Sequence, residues 1–265
     1  MKVTVFTSPN RNDLEFKAQV EKELTKNGFE IDDENPDICI HLGGDGTFLR
    51  SVHQYLDKLD HVRFIGLCIG TLGFYYDYAK DELPALIQDL KEENFNVSEH
   101  RLLETKIDYE DKSETIYGVN EIRVENPFHT LICEVLINGE YLETYRGNGL
   151  LVSSCLGSSG YNKSLGGSLL PHNLEMLELT EVVSIQNNAY NSLGSSLILD
   201  MNSHITLKGQ FTKNAVVGYD FSTSKNESPT CLDIFLSKKK VKIIRRKSYS
   251  YINSIRKSFI KNERS

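Results

Sequence analysis

A chain of 265 residues can form one large domain or two modest ones, and either can bury a full core. Hydrophobic and charged fractions of 39% and 25% are ordinary for a soluble globular protein, and a net charge of −7 argues against nonspecific nucleic-acid binding as the main task. No apolar run approaches the roughly 20 residues of a transmembrane helix, so no membrane partner is expected.

The start, Met1 to Phe6, is too short and too quickly polar for a signal peptide, and Val3–Phe6 reads as a first buried strand. Asp13–Asn27 is predicted helical, with apolar Leu14, Ala18 and Leu24 and a stop at Gly28. The run Ile38–Leu42 reads as a buried parallel strand that ends in Gly43-Gly44-Asp45-Gly46-Thr47, with a helix over Phe48–Leu59 behind it. Arg63–Leu67 is a further strand, followed by a second glycine loop, Gly70-Thr71-Leu72-Gly73-Phe74. Glu82–Asn94 is a helix that tolerates Pro84 in its first turn. This alternation predicts an α/β N-terminal domain over 1–97, an open parallel sheet with helices on both faces.

From Asn96 the chain offers short β-rich runs at 101–109, 115–125, 131–137, 141–146, 149–154, 196–200, 203–208, 214–219, 231–236 and 240–245. They predict a mostly antiparallel, all-β domain over 98–245, with a hairpin at Ile137-Asn138-Gly139-Glu140. A short helix is expected over Asn173–Glu181, from the spacing of Leu174, Leu177 and Glu178. Residues 238–265 hold eleven Lys/Arg against one Glu. Ile252, Ile255 and Phe259 share a face, so 246–265 reads as a basic helix that packs back on the protein. Five cysteines (39, 68, 133, 155, 231), with no Cys-x-x-Cys pair, fit reduced thiols in a cytosol, and a cytoplasmic location is expected.

Four clusters could carry chemistry. In the first, glycines let a ligand approach the backbone amides, and the amides opening the next helix favour an anion. Asp45 in its middle is the chain's best candidate for a proton acceptor or a metal-linked carboxylate; the plainer alternative is a tight turn with Asp45 capping the helix. The loop is neither a Walker loop nor the dehydrogenase fingerprint. Asn120-Glu121 pairs an amide with a carboxylate and can hold ribose hydroxyls or an adenine edge. Arg146-Gly147-Asn148-Gly149-Leu150 reads as a turn carrying one hydrogen-bonding side chain. Gly157 to Gly167, with four glycines, four hydroxyl residues and one lysine, reads as a mobile polar loop suited to a nucleotide. It is not a nucleophile elbow, because Tyr161 stands where the last glycine belongs.

In this order and spacing the four clusters resemble the NAD kinase family, which shares a superfamily with diacylglycerol kinases. The likeness covers nearly the whole chain and is greatest to the short enzymes of low-GC Gram-positive bacteria. It implies phosphorylation of the 2′-hydroxyl of the adenosine ribose of NAD by ATP, with Mg²⁺ or another divalent cation on the donor, in a homo-oligomer (dimer or tetramer). It further implies Asp45 as the catalytic base. Gly43, Gly44, Thr47 and Arg50 would face phosphate. Gly46, Phe74, Asn120, Glu121, Arg146, Asn148, Ser159, Gly160, Tyr161, Ser164 and Val183 would bind substrate. Four positions depart from the family pattern: Asn148 replaces Asp, Ser159 and Gly160 replace Thr and Ala, and Val183 replaces a small Ala. A lipid or sugar kinase of the same superfamily and a dinucleotide sensor without kinase activity are the rival readings.

Overall fold

The computed structural model describes residues 1–8, 11–69, 73–209, 211, 215–224 and 229–260. The chain divides into two compact units, Met1–Glu99 with Lys239–Ser265, and His100–Lys238.

In the first unit, β1 (Lys2–Thr7), β2 (Glu30–Ile31), β3 (Ile38–Gly43), β4 (Arg63–Cys68) and β5 (Tyr78–Ala79) pair in parallel, in the order β2–β1–β3–β4–β5. Helix α1 (Arg11–Lys26) connects β1 to β2, α2 (Asp45–Gln54) lies between β3 and β4, and α3 (Leu83–Glu92) follows β5. Apolar strand residues, Val3, Val5, Ile38, Ile40, Ile65 and Leu67, pack with Val20 and Leu24 of α1 and Leu86 and Leu90 of α3. The central strands are buried on both faces, which is why they read as continuous apolar runs. Helix α2 starts three residues earlier than the sequence suggests, because extended Gly44 (φ −112°, ψ 175°) caps it. A separate 3₁₀ turn over Leu56–Lys58 takes the rest of that prediction.

The second unit carries the later strands in chain order. These are β6 (Phe95–Asp108), β7 (Ser113–Gly118), β8 (Glu121–Glu125), β9 (Leu131–Ile137), β10 (Glu140–Ser154), β11 (Met176–Ser184), β12 (Leu197–Asp200), β13 (Ile205–Lys208), β14 (Val216–Tyr219), β15 (Ser222–Thr223) and β16 (Cys231–Arg246). Two single turns, Gly157–Ser159 and α4 (Tyr161–Ser164), interrupt them. The pairing in this unit is antiparallel. Long β10 is its spine: the first part pairs β9, and the last part lies between β8 and β11. The β9–β10 hairpin turns through Asn138 (φ 52°) and Gly139 (φ 83°), both left-handed, as an Asn-Gly hairpin requires.

Strands β6 and β16 extend into the first unit at one end. There Lys242 and Ile243 of β16 pair in parallel with Arg63 and Phe64 of β4. Helix α5 (Tyr251–Phe259) ends the described chain, its amide at Asn253 capped by Ser250 Oγ at 3.4 Å.

Four local predictions are corrected. Asn173–Glu181 is not helical: residues 176–184 form β11, because Leu177 and Leu179 alternate into the core opposite Ser154 and Val152. Arg146–Leu150 is no turn but the middle of β10, since cross-strand partners are met there by β9 at Gly147 and by β8 and β11 at Gly149. The runs 231–236 and 240–245 are one strand, β16, whereas 115–125 breaks at Val119-Asn120.

Candidate functional site

In the first unit the site is built at the carboxyl end of β3. Gly43 turns the chain at φ +141°, and α2 begins at Asp45, so the helix's positive end lies in the glycine loop. Asp45 does not cap its own helix. Its carboxylate accepts hydrogen bonds from the backbone amides of Phe74 (3.2 Å) and Tyr75 (3.3 Å). A Cβ on Gly73 would stand 2.1 Å from Asp45 Oδ1, so only glycine lets the two loops meet this closely. Burial raises the Asp45 pKa from its ordinary value, opposed by the two amides and by the Arg245 charge.

Side chains from separate strands fix the 74–77 segment. His41 Nε2 lies 3.1 Å from Tyr75 O, the Tyr76 hydroxyl donates to Gly44 O at 2.5 Å, and Arg245 Nη1 donates to Phe74 O at 3.0 Å and to Asp77 Oδ2 at 3.3 Å. Burial lowers the His41 pKa to about 3, so the ring is neutral at pH 7, wedged against Phe48 and Tyr76. Phe74 is buried, with the rings of Phe259 and Tyr251 of α5 at 5.5 and 6.5 Å. Thr47 is buried and Arg50 exposed in the same helix, the latter beside Gly46. Gly70, Thr71 and Leu72 lie outside the described residues. Sequence reasoning missed His41, Asp77 and Arg245; a polar residue inside an otherwise apolar strand was the available signal for His41, whereas Asp77 lies in a bend and Arg245 in a strand rich in lysine and arginine.

In the second unit Asn120 and Glu121 sit where β7 passes to β8. Asp220, itself at φ +46°, accepts from the amides of Val119 (2.8 Å) and Asn120 (2.7 Å), and Ser154 N donates to Asn120 O at 2.9 Å. The Asn120 side chain is thereby aimed by a locked backbone. Glu121 is buried, and Arg123 donates to it at 3.3 Å and to Glu125 at 3.1 Å. Its pKa is pushed up to about 7, because burial, Asp220 and Glu125 outweigh the Arg123 guanidinium.

The 157–167 segment folds back onto this pair. A methyl on Gly160 would lie 3.6 Å from Asn120 Nδ2 and 3.9 Å from Glu121 Oε2, but 3.3 Å from the backbone carbonyl of Gly157, so an alanine would need that carbonyl to give slightly. Tyr161 donates to Glu125 at 3.0 Å and lies under Arg123. The segment is anchored through buried Asn162, which donates to Glu178 (2.8 Å) and accepts from Thr180 (2.7 Å), and Ser168 N donates to Glu178 at 2.7 Å. Ser159 is half-buried in the first turn, and Ser164 is exposed at the end of α4. The structure thus gathers Asn120, Glu121, Gly160 and Tyr161, with Arg123, Glu125 and Asp220 as neighbours that the sequence did not single out.

Arg146, Asn148 and Val183 form a separate group along β10 and β11. The Arg146 guanidinium lies 4.5 Å over the Tyr190 ring, while Asn148 is exposed and uses its carbonyl to accept from Asn126 N. Val183 is 72% exposed and left-handed (φ 50°), a costly conformation for a β-branched residue that a small residue would adopt with less strain.

Among known families, residues 120–246 match the ATP-NAD kinase C-terminal domain. The chain is 33% identical over 262 residues to the NAD kinase of Latilactobacillus sakei, 98% of each chain being covered. It is equally identical, over 98% of its length and 99% of the other's, to NAD kinase 1 of Bacillus anthracis. Two solved structures share the fold. Yeast NADH kinase complexed with NADH gives a TM-score of 0.84 at 17% identity, over 97% of this chain and 86% of that one. An NAD kinase from Archaeoglobus fulgidus in complex with ATP gives 0.78 at 18%, over 97% and 99%.

Proposed function

This chain belongs to the NAD kinase family, and on that premise we propose that it transfers the terminal phosphoryl group of ATP to the 2′-hydroxyl of the adenosine ribose of NAD, giving NADP. The observation that carries the reading is Asp45, a carboxylate set in a glycine loop at a helix N-terminus and held by two backbone amides. A ribose hydroxyl is a weak nucleophile at neutral pH, and a positioned base is worth about 10²–10⁴-fold. Asp45 takes the hydroxyl proton as the oxygen bonds to phosphorus and the bond to ADP breaks. The glycine loop, through Gly43, Gly44 and Thr47 together with Arg50, faces the donor phosphates, where the helix terminus favours negative charge, although the Thr47 amide itself donates to Gly44 O at 2.7 Å. Mg²⁺ arrives on the ATP phosphates as part of that substrate and neutralises charge in a loose transition state. Among the described residues no group of three or more His, Cys, Asp or Glu is placed to hold a metal ion.

Asn120 and Glu121 hold the adenosine part of NAD. Gly46, Phe74, Ser159, Gly160, Tyr161 and Ser164 contribute to the same substrate, and Arg146, Asn148 and Val183 reach its nicotinamide end, in part from a neighbouring subunit. A dimer or tetramer is supported by the exposed apolar side chains of the second unit, among them Phe128, Tyr141 and Val183; light scattering tests it. The cytoplasmic reading is supported by five free cysteines, and among the described residues no helix is long and apolar enough to cross a membrane. The direct test is turnover of NAD, ATP and Mg²⁺ by the purified protein, coupled to an NADP-specific dehydrogenase. NAD binding without turnover would mark the protein as a sensor instead.

Three predictions concern NAD. Glu121 binds hydroxyl donors best as a carboxylate, and with its pKa near 7 it is mostly protonated at pH 6 and mostly ionised at pH 8. The KM for NAD is therefore expected to rise up to about 10-fold from pH 8 to pH 6, and Glu121→Gln should flatten that dependence. Glu121→Ala should raise the KM for NAD more than that for ATP; equal effects on both would leave Glu121 a strand-end residue. Asn148→Asp would place a carboxylate toward the cationic nicotinamide of NAD, which NADH lacks. The ratio of kcat/KM for NAD over NADH should increase about 5- to 30-fold. An unchanged ratio would put Asn148 out of reach of the ring.

A further inference from the structure

Arg245 has no part in the reaction as described so far, yet it is only 4% exposed and lies on a strand whose preceding residues, Val241, Ile243 and Ile244, are buried apolar side chains. Its Nη1 donates to Phe74 O and Asp77 Oδ2, and its guanidinium lies 4.3 Å from the centre of the Tyr249 ring. Among the described residues its buried Nη2 has no hydrogen-bond partner. A buried arginine paired with one aspartate is weak evidence for stability, since desolvation offsets the attraction. Its geometry suggests another task. The trans peptide group between Phe74 and Tyr75 presents its amide, Tyr75 N, to Asp45 and its carbonyl, Phe74 O, to Arg245, while Phe74 N donates to Asp45 from the preceding peptide group and His41 meets Tyr75 O of the following one. The direction of the Tyr75 amide is set from behind by Arg245.

We propose that Arg245 is a positioning residue for phosphoryl transfer: it fixes the Phe74–Tyr75 segment so that both amides stay on the Asp45 carboxylate. The proposal rests on the reading of Asp45 as the base. Arg245 acts on the reacting atoms only through Asp45, so the two residues behave as one unit and their losses do not add. Lysine keeps the charge but lacks the planar fork that reaches Phe74 O and Asp77 together.

The test is a double-mutant cycle in the coupled assay, with folding checked by circular dichroism. Arg245→Met is expected to lower kcat about 10- to 100-fold with the KM for NAD within about 3-fold of the parent, and Arg245→Lys to fall between them. In the Asp45→Asn background, Arg245→Met should cost less than about 2-fold more. Equal fold-losses in the two backgrounds, or an unchanged kcat, would overturn the role of Arg245 and leave Asp45 standing. Full turnover in Asp45→Asn alone would overturn the base reading, and this proposal with it. If Arg245→Met does not fold, Arg245→Lys carries the same cycle.

Discussion

Asp45→Asn is expected to lower kcat by at least about 10²-fold and to leave NAD binding nearly intact. Asparagine has the same shape, but Phe74 N and Tyr75 N meet different carboxylate oxygens, Oδ2 at 3.2 Å and Oδ1 at 3.3 Å, so its one carbonyl oxygen keeps one of these bonds while its NH2 faces the other amide. The substitution removes the proton acceptor and its charge at the cost of one loop hydrogen bond. Steady-state kcat with saturating NAD and ATP measures the loss, and titration calorimetry with NAD measures what remains of binding. A variant that turns over like the parent would remove Asp45 from the base role. A variant that loses NAD binding in proportion would make Asp45 a substrate contact instead.

The second large effect is structural. Gly66 faces His41 across the β3–β4 pairing, and a Cβ there would meet Tyr75 O at 2.3 Å, Tyr76 Cδ1 at 2.6 Å and His41 Nε2 at 2.7 Å. The first of these is backbone and cannot swing aside. Overpacking of a well-filled site costs about 1–3 kcal/mol. At about 2–4 °C per kcal/mol for a protein of this size, Gly66→Ala should lower the melting temperature by about 2–12 °C. It should also reduce kcat, because the atom displaced belongs to the segment that holds Asp45. Gly44→Ala is the control, since its Cβ would meet nothing within 4 Å and its φ of −112° suits any residue. Its melting temperature should stay close to the parent's. Scanning calorimetry of both decides whether the contact around Gly66 or mere loss of a glycine is responsible.

The amino-acid sequence alone determined the two architectures and the principal loop. Short, continuous apolar runs ended by glycines read as strands buried on both faces, and a carboxylate between glycines at a strand's carboxyl end marks a loop built for close approach, so β3, β4 and the loop around Asp45 were legible from local chemistry. The Asn138-Gly139 hairpin was legible for the same reason, its left-handed backbone being a property of those two residues. The tertiary structure decided what depends on partners far along the chain. Residues 176–184 carry a pattern that suits either period, and pairing with β10 selected the strand. Arg146–Leu150 carries glycines that suit a turn, yet cross-strand hydrogen bonds kept it extended. Asp220 orients Asn120 from 100 residues away, and Arg245 holds the Phe74 carbonyl from 171 residues away. Neither leaves a periodic signal, because a hydrogen bond between distant residues depends on where the folded chain brings them, not on what surrounds them in sequence. The raised pKa of Glu121 belongs with these, since burial and neighbouring charge exist only once the strands have paired.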